Sequence, residues 1–217
     1  MKVLHIDSSI RNGRSVSKAL SQLFVNELTE KFKNVEIDYL DLSINTPSHP
    51  SALFIQGNYL APGERTPEMI AELEESERLV DKMHDADIYV LGMPMYNFSV
   101  PSNFKTFIDN IVRINRTFQL GGQGAVGLLN NKKVFVINTR GSDFAPAHMT
   151  IMDQLTPYLR VVFGFMGLTD ITFIDVHPVQ FAAAEERAVA IAKAEAQIKE
   201  TVEKLNIEIV KNTEQLA

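Results

Sequence analysis

Short apolar segments alternate with segments of helical periodicity along most of the chain, and this alternation restricts the fold more than any other feature. Segment 87–94 (DIYVLGMP) is almost unbroken in its hydrophobicity, which is typical of a central parallel strand covered on both sides. Segment 15–32 instead places apolar residues three and four positions apart, as on one helix face. Strands are predicted at 2–7, 35–42, 87–94, 132–139 and 169–176, and helices at 15–32, 67–85, 101–115, 150–165 and 182–205. The alternation predicts an α/β fold, a three-layer sandwich with a five-stranded parallel sheet and helices on both faces.

Two segments interrupt this pattern. Residues 43–66 are rich in Pro, Ser, Asn and Gly, which predicts a long loop with one short helix near residues 51–57. Residues 117–129 (TFQLGGQGAVGLL) have strand character broken by glycines, which indicates a hairpin. Neither a repeat nor a linker divides the chain, so we expect one domain over residues 1–217.

Composition excludes several classes of protein. The chain has no cysteine, which excludes disulfides, cysteine zinc sites and a thiol nucleophile. Its formal net charge of −6 gives no general attraction to nucleic acid or to an anionic membrane. The N-terminal segment turns polar at Asp7, and no apolar run approaches the roughly 18 residues of a membrane span. We therefore expect a cytoplasmic protein that binds neither nucleic acid nor membranes.

The loops after residues 7, 94 and 139 are the candidate site, because parallel α/β sheets bind ligands at the carboxyl ends of their strands. The first loop, residues 8–17, leads into a helix N-terminus, where backbone N–H groups and the helix dipole suit a phosphate. Ser9, Ser15 and Ser17 add hydroxyl donors, and the loop has neither a P-loop nor a G-x-G-x-x-G pattern. A mononucleotide phosphate held without a metal fits these residues. The alternative is that Ser15 only caps the helix and the rest is surface loop.

The second loop, residues 93–101, combines large apolar side chains with an amide. Met95, Tyr96 and Phe98 offer a polarizable wall for a flat ring, and Asn97 offers an amide that both donates and accepts hydrogen bonds. Flavin is a cofactor with both requirements. The alternative is that these side chains cover the end of the core.

The third loop contains Thr139, Arg140, Gly141 and Ser142. Gly141 lets the backbone approach a ligand closely, although an ordinary turn is the simpler interpretation of this loop alone. The histidines are scattered without metal-ligand spacing, and His5 is expected in the core. The sequence has no G-x-S-x-G motif for an acyl-transfer serine.

Segment 94–118 (PMYNFSVPSNFKTFIDNIVRINRTF) resembles the signature of the FMN-dependent NADH:azoreductases, a family of quinone reductases with a flavodoxin-like fold. The resemblance extends to S-S-I-x-x-G-x-S-x-S at residues 8–17, to the loop 139–142 and to residues 156–174. It implies a homodimer with one FMN per subunit at the interface. The residues it implies are Ser9, Ser15, Val16 and Ser17 at the phosphate, Met95, Tyr96, Asn97 and Phe98 along the isoalloxazine, and Thr139, Arg140, Gly141 and Ser142 at its polar edge.

Phe165 aligns with an aromatic residue that, in similar enzymes, reaches over the flavin from the partner subunit. The third loop departs from the family, because many relatives read S-R-G-G where this chain has Thr139 and Ser142 at the outer positions. Residues 143–150 also form a longer stretch than in some members. We expect both departures to affect the range of substrates and not the binding of FMN.

The resemblance implies an enzyme that transfers hydride from NADH or NADPH through FMN in a ping-pong cycle. The acceptors are quinones, or aromatic azo compounds that are cleaved reductively to amines, and no protein nucleophile is needed. Three alternatives remain at this point. They are a flavodoxin-like electron carrier, an NADPH-dependent FMN or chromate-type reductase, and a regulatory protein that has lost its flavin. The sequence has no dinucleotide fingerprint, so the preference for NADH rests on the resemblance.

Overall fold

The computed structural model describes residues 1–11, 13–122 and 124–206. Its strands are β1 (Lys2–Asp7), β2 (Glu36–Asp41), β3 (Ile88–Pro94), β4 (Phe118–Gly121), β5 (Gly124–Gly127), β6 (Lys133–Thr139) and β7 (Asp170–Val176). Its helices are α1 (Val16–Lys31), α2 (Ala52–Tyr59), α3 (Pro67–Asp85), α4 (Ser102–Ile111), α5 (Ala147–Thr150), α6 (Leu155–Phe165) and α7 (Ala184–Lys204). A short 3₁₀ turn, Pro62–Glu64, precedes α3.

Five strands form one parallel sheet in the order β2-β1-β3-β6-β7, which confirms the predicted sheet. β3 pairs with β1 on one side and β6 on the other, and all seven of its residues are buried. This explains why its sequence is apolar almost throughout. The chain runs outwards from β1 in both directions, so the crevice between β1 and β3 is the point where the strand order reverses.

Helices cover both faces of the sheet. Side chains of α1 and α7, such as Phe24 and Ile198, form one core with the strand residues on that face of the sheet. Side chains of α3, α4 and α6, such as Phe107 and Leu159, form the other core with the alternate strand residues. In β1, for example, Val3 belongs to the first core and Leu4 to the second, as expected from the two-residue period of a strand. His5 of β1 is only 1% exposed, in agreement with its prediction as a core residue.

The predicted hairpin at 117–129 is confirmed, with β4 and β5 paired antiparallel, and α2 lies within the predicted long loop. Two predicted helix boundaries were wrong. The helix at 101–115 ends at Ile111, because the Thr117 hydroxyl donates to the Ile111 carbonyl at 2.6 Å and accepts from the Arg113 N–H. The helix at 150–165 begins only at Leu155, where Asp153 accepts the N–H groups of the first turn.

The prediction of one domain over residues 1–217 includes residues 207–217, which lie outside the described residues. None of the helices in the described part of the chain is long and apolar enough to cross a membrane.

Candidate functional site

A cleft of about 250 Å³ lies at the carboxyl edge of the sheet, where the loops after β1, β3 and β6 meet. Backbone hydrogen bonds join these loops: the Ser8 N–H donates to the Gly92 carbonyl at 3.2 Å, and the Met95 N–H donates to the Thr139 carbonyl at 2.8 Å. The residues that line the cleft are Ser9, Arg11, Ser15, Val16, Ser17, Pro94, Met95, Tyr96, Thr139, Gly141, Val179, Gln180 and Phe181. The three predicted loops therefore form one site.

The end of the cleft beside α1 is polar. Ser15 is the N-cap of α1 and accepts from the Lys18 N–H at 3.3 Å, and it also lines the cleft. Its hydroxyl lies 3.1 Å from that of Ser17, whose side chain is buried in the first turn of the helix. Ser9, also buried, lies on the other side, 3.4 Å from the Tyr96 hydroxyl. Three hydroxyls around a helix N-terminus form a suitable environment for a phosphate.

The loop after β3 contains a tight turn in a left-handed conformation. Tyr96 and Ser99 exchange two backbone hydrogen bonds of 3.0 Å, and the residues between them, Asn97 and Phe98, have φ angles of 47° and 69°. A positive φ is common for Asn but strained for an aromatic residue, and such strain clusters at functional sites. Within the described residues, the N–H groups of Asn97 and Phe98 have no protein acceptor. They are free to bind a ligand.

The alternative that this loop merely covers the core holds for only part of it. Met95 is partly buried against the core of α3, α4 and α6. Phe98 is 44% exposed, and neither Asn97 nor Phe98 lines the cleft with its side chain. Met95 and Tyr96 therefore form the wall on this side, and the adjacent turn offers backbone groups.

The loop after β6 contributes Thr139 and Gly141 to the cleft, while the side chain of Arg140 is directed elsewhere. The Arg140 guanidinium donates to Asp175 at 2.6 Å, to Asp153 at 2.7 Å and to Thr156 at 3.0 Å. Burial raises the pKa of Asp153, but the hydrogen bonds from Thr156 and the charge of Arg140 outweigh it, so the pKa is lowered overall. Arg140 thus anchors the loop to α6 and β7, and Ser142 lies outside the cleft.

A fourth segment, which the sequence analysis missed, completes the cleft. Val179, Gln180 and Phe181 follow β7, and their N–H groups donate to the carbonyls of Arg140 and Gly141 at 2.9–3.0 Å. A Cβ atom on Gly141 would lie 3.0 Å from the Phe181 ring, so the glycine permits this close packing. β7 is the fifth parallel strand, and the rule that pointed to the other three loops could have identified this one as well.

Eight of the twelve predicted cofactor-binding residues line the cleft, namely Ser9, Ser15, Val16, Ser17, Met95, Tyr96, Thr139 and Gly141. The side chains of Asn97, Phe98, Arg140 and Ser142 do not. Phe165 lies at the end of α6, where its ring packs 4.5 Å from that of Phe118 and remains 40% exposed. The binding roles of all these residues stay predictions.

The cleft fits FMN on its own chemistry. One end offers three hydroxyls and a helix N-terminus to a phosphate, and the other has apolar walls from Met95 and Phe181. Among residues 1–11, 13–122 and 124–206, no group of three His, Asp or Glu side chains could hold a metal ion.

Comparison with known proteins identifies the family of the chain. A family profile described as "Flavodoxin-like fold" matches residues 1–202. The FMN-dependent NADH:quinone oxidoreductase 1 of Trichormus variabilis is 41% identical over 202 residues, which cover 93% of this chain and 96% of the relative. The chain belongs to the family of FMN-dependent NADH:quinone oxidoreductases with a flavodoxin-like fold. A second FMN-dependent NADH:quinone oxidoreductase, from Nostoc punctiforme, is 41% identical over 91% of this chain and 97% of its own.

Solved structures confirm the fold of this FMN-dependent NADH:quinone oxidoreductase family member. An azoreductase from Bacillus anthracis str. Sterne superposes with a TM-score of 0.87 at 22% identity, over 94% of this chain and all of the other. A second B. anthracis structure, an FMN-dependent NADH-azoreductase in complex with FMN, gives a TM-score of 0.83 at 22% identity, over 93% and 97%. The predicted flavodoxin-like fold and the predicted family are both confirmed.

Proposed function

We propose that this protein binds FMN in the cleft at the carboxyl edge of β1, β3 and β6 and uses it to reduce quinones with NADH. The observation that carries the proposal is the cleft itself, with a hydroxyl-lined helix N-terminus at one end and an apolar wall at the other. This cleft supports quinone reduction by NADH because the chain that contains it is 41% identical to a protein named FMN-dependent NADH:quinone oxidoreductase 1.

The residues divide the work of holding the cofactor. Ser9, Ser15 and Ser17 hold the phosphate, and Val16 adds the backbone of the first helical turn. Met95 and Tyr96 lie along the ring, and the N–H groups of Asn97 and Phe98, which follow them in the same loop, have no protein acceptor among the described residues. Thr139 and the backbone at Gly141 reach the polar edge, and Arg140 positions this loop without touching the flavin.

Bound FMN supplies the redox chemistry, by taking hydride from the nicotinamide and giving it to the acceptor. The protein orients the ring and leaves one face open for the donor and then the acceptor. Aromatic azo compounds are a second class of acceptor, since they are flat and are reduced to amines in two rounds. The loop that carries Thr139 and Ser142, together with residues 143–150, borders this open face and sets the range of acceptors.

The flavin absorption of the purified protein tests the proposal. We expect the flavin bands to bleach when NADH is added without air and to return with a quinone. Double-reciprocal plots against NADH and quinone should be parallel, as expected for a ping-pong cycle. A protein that retains no FMN would favour the regulatory alternative, and one that retains FMN without oxidising NADH would favour the electron carrier. Faster reduction of free FMN by NADPH than of quinone by NADH would favour the FMN-reductase alternative.

We also propose that the protein is a homodimer with Phe165 at its interface. Phe165 and Val161 lie one turn apart on the exposed side of α6, and Leu120 and Val126 of the adjacent hairpin are also exposed, at 70% and 49%. The hairpin contacts α6 through the packing of Phe118 on Phe165, and Leu120 lies on the same face of the hairpin as Phe118, so Leu120, Val161 and Phe165 form one apolar surface. Val126 lies on the opposite face of the hairpin. Exposed apolar surface of this kind marks an interaction site.

Replacement of Val161 by Glu tests the dimer. We expect wild type to have the mass of two chains in light scattering, and V161E to dissociate and lose FMN affinity because Phe165 no longer reaches the partner's cleft. Val189→Glu is the matched control, since Val189 is similarly exposed (69% against 72%) on α7. A monomeric wild type with full FMN affinity would contradict this proposal without touching the previous one. The cytoplasmic location also stays a prediction.

A further inference from the structure

A second concavity, of about 410 Å³, lies beside the flavin cleft and is lined by Arg11, Arg14, Arg187 and Gln180. Arg11 and Gln180 line the flavin cleft as well, and the two side chains are joined by a hydrogen bond of 2.9 Å. The concavity therefore adjoins the flavin cleft. We call the three arginines the arginine cluster.

Among the described residues, the arginine cluster differs from the other arginines in having neither a carboxylate nor an aromatic partner. Of the nine arginines, five form ion pairs with carboxylates, namely Arg65, Arg78, Arg113, Arg116 and Arg140. Arg160 stacks on the ring of Phe173 at 4.7 Å. The remaining three are those of the cluster, and none of them has a carboxylate partner among the residues that the structure describes. A chain with a net charge of −6 thus gathers in one place the three arginines that have neither a carboxylate nor an aromatic partner among the described residues.

The acidic groups nearby do not neutralise the cluster. Asp7 lines the adjoining hollow together with Arg14 and Arg187, but its side chain is 2% exposed. Its two oxygens accept the hydroxyls of Ser21 at 2.7 Å and Tyr39 at 3.0 Å. Glu185 and Glu186 lie in the first turn of α7 and do not line the concavity. The arginines are therefore available to an anionic ligand.

Two helices add to the positive potential. α1 begins beside the concavity, since its N-cap Ser15 lines both the flavin cleft and the hollow that contains Arg14 and Arg187. α7 begins at Ala184, so Arg187 belongs to its first turn, and its N-cap Ala183 offers no side-chain acceptor to the helix. Both helix N-termini favour negative charge at this position.

We propose that the arginine cluster is a second phosphate subsite, which binds a phosphoryl anion next to the phosphate of the flavin. This rests on the proposed function, because the first phosphate is that of FMN held by Ser9, Ser15 and Ser17. Guanidinium groups suit this ligand, since they donate several hydrogen bonds in a fixed geometry to phosphate oxygens. The anion is either the second phosphate of a flavin dinucleotide, FAD, or a phosphate not attached to the flavin.

The variant R14Q/R187Q removes two members of the arginine cluster and leaves Arg11, which also lines the flavin cleft. Dissociation constants for FMN and FAD are measured on flavin-free protein by quenching of flavin fluorescence. If the anion is the second phosphate of FAD, the dissociation constant for FAD rises about tenfold or more in the double variant, as expected for lost charge-assisted hydrogen bonds, while that for FMN rises less than about threefold. Arg78→Gln removes an exposed arginine on α3 and is the matched control, which leaves both constants unchanged.

Inorganic pyrophosphate separates the two sources of the phosphate. If the ligand is unattached to the flavin, pyrophosphate raises the melting temperature of FMN-loaded wild type and R78Q but not of R14Q/R187Q, whether or not FAD binds. Equal weakening of FMN and FAD in the double variant would overturn the inference, because the arginines would then belong to the first phosphate site. So would an unchanged affinity for FAD together with no response to pyrophosphate. A wild type that binds no flavin would refute the proposed function, and the pyrophosphate response of flavin-free protein would still test the cluster.

Discussion

Replacement of Gly92 by Ala tests how tightly the first and third strands are packed below the cleft. Gly92 belongs to β3 and pairs with Asp7 of β1. A Cβ atom at position 92 would lie 1.9 Å from the Asp7 Oδ1 and 2.8 Å from the Ser21 hydroxyl, far inside van der Waals contact. The Asp7 carboxyl cannot move away freely, since it is 2% exposed and accepts hydrogen bonds from Ser21 and Tyr39.

The magnitude follows from these contacts. Overpacking a close-packed interior costs about 1–3 kcal/mol, and displacing a buried carboxyl from its hydrogen bonds costs about 1–3 kcal/mol more. The backbone itself offers no resistance, because Gly92 lies in extended conformation within a strand and its φ is not positive. We therefore expect G92A to lower the free energy of unfolding by about 2–6 kcal/mol, a large part of the roughly 5–15 kcal/mol typical of a domain.

Urea denaturation measures this change in the free energy of unfolding. All variants are compared without flavin and at the same protein concentration, because ligand binding and association both shift apparent stability. Gly63→Ala is the control, since nothing lies within 4 Å of its Cβ position, and it should change the free energy of unfolding by less than about 0.5 kcal/mol. In the background of Asp7→Ala the clash with the carboxyl is gone and only the contact with the rotatable Ser21 hydroxyl remains, so G92A should then cost less than about 1 kcal/mol. A cost below about 1 kcal/mol in wild type, or the same cost in both backgrounds, would refute the reasoning.

Three further changes probe the site itself. Ser17→Ala should raise the dissociation constant for FMN about tenfold and leave that for riboflavin unchanged, since it removes one hydroxyl from the phosphate end. Gly141→Ala should raise the KM for quinone by displacing the exposed Phe181 ring, with less than about 1 kcal/mol change in the free energy of unfolding. Asp153→Asn should reduce stability at pH 7. The pKa of Asp153 is lowered in the folded state, so its contribution is present above the unfolded value of about 4 and is lost as the pH falls through the folded one. Urea denaturation should show wild type and D153N converging below about pH 4, whereas a constant difference would contradict this account.

Much of the fold follows from local pattern. β3 could be predicted because a strand covered on both faces must be apolar at every position, and all seven of its residues are buried. Helix ends were harder to predict, since they depend on which polar side chain folds back onto the backbone. The Thr117 hydroxyl ends α4 at Ile111, and the Asp153 carboxyl delays the start of α6 to Leu155. Neither contact has a signal in hydrophobic periodicity.

In the candidate site, too, some features could be predicted from the sequence and others could not. Ser9, Ser15, Ser17, Met95 and Tyr96 could be predicted because each follows a parallel strand, and the carboxyl ends of parallel strands share one edge. The direction of a side chain within a loop has no such rule. The carboxyls of Asp153 and Asp175 determine that Arg140 is directed away from the cleft, although the residues around it line the cleft.

The sequence by itself determined that a hydroxyl-rich loop, an aromatic loop and a glycine-containing loop would lie together, because strand periodicity and chain order are local properties. Only the tertiary structure decided what else joins them. Arg11, Arg14 and Arg187 belong to segments more than 170 residues apart, and they meet only because α1 and α7 pack side by side on one face of the sheet. The cleft and the arginine cluster beside it are formed by contacts between distant parts of the chain, and no spacing of residues along the sequence records such contacts.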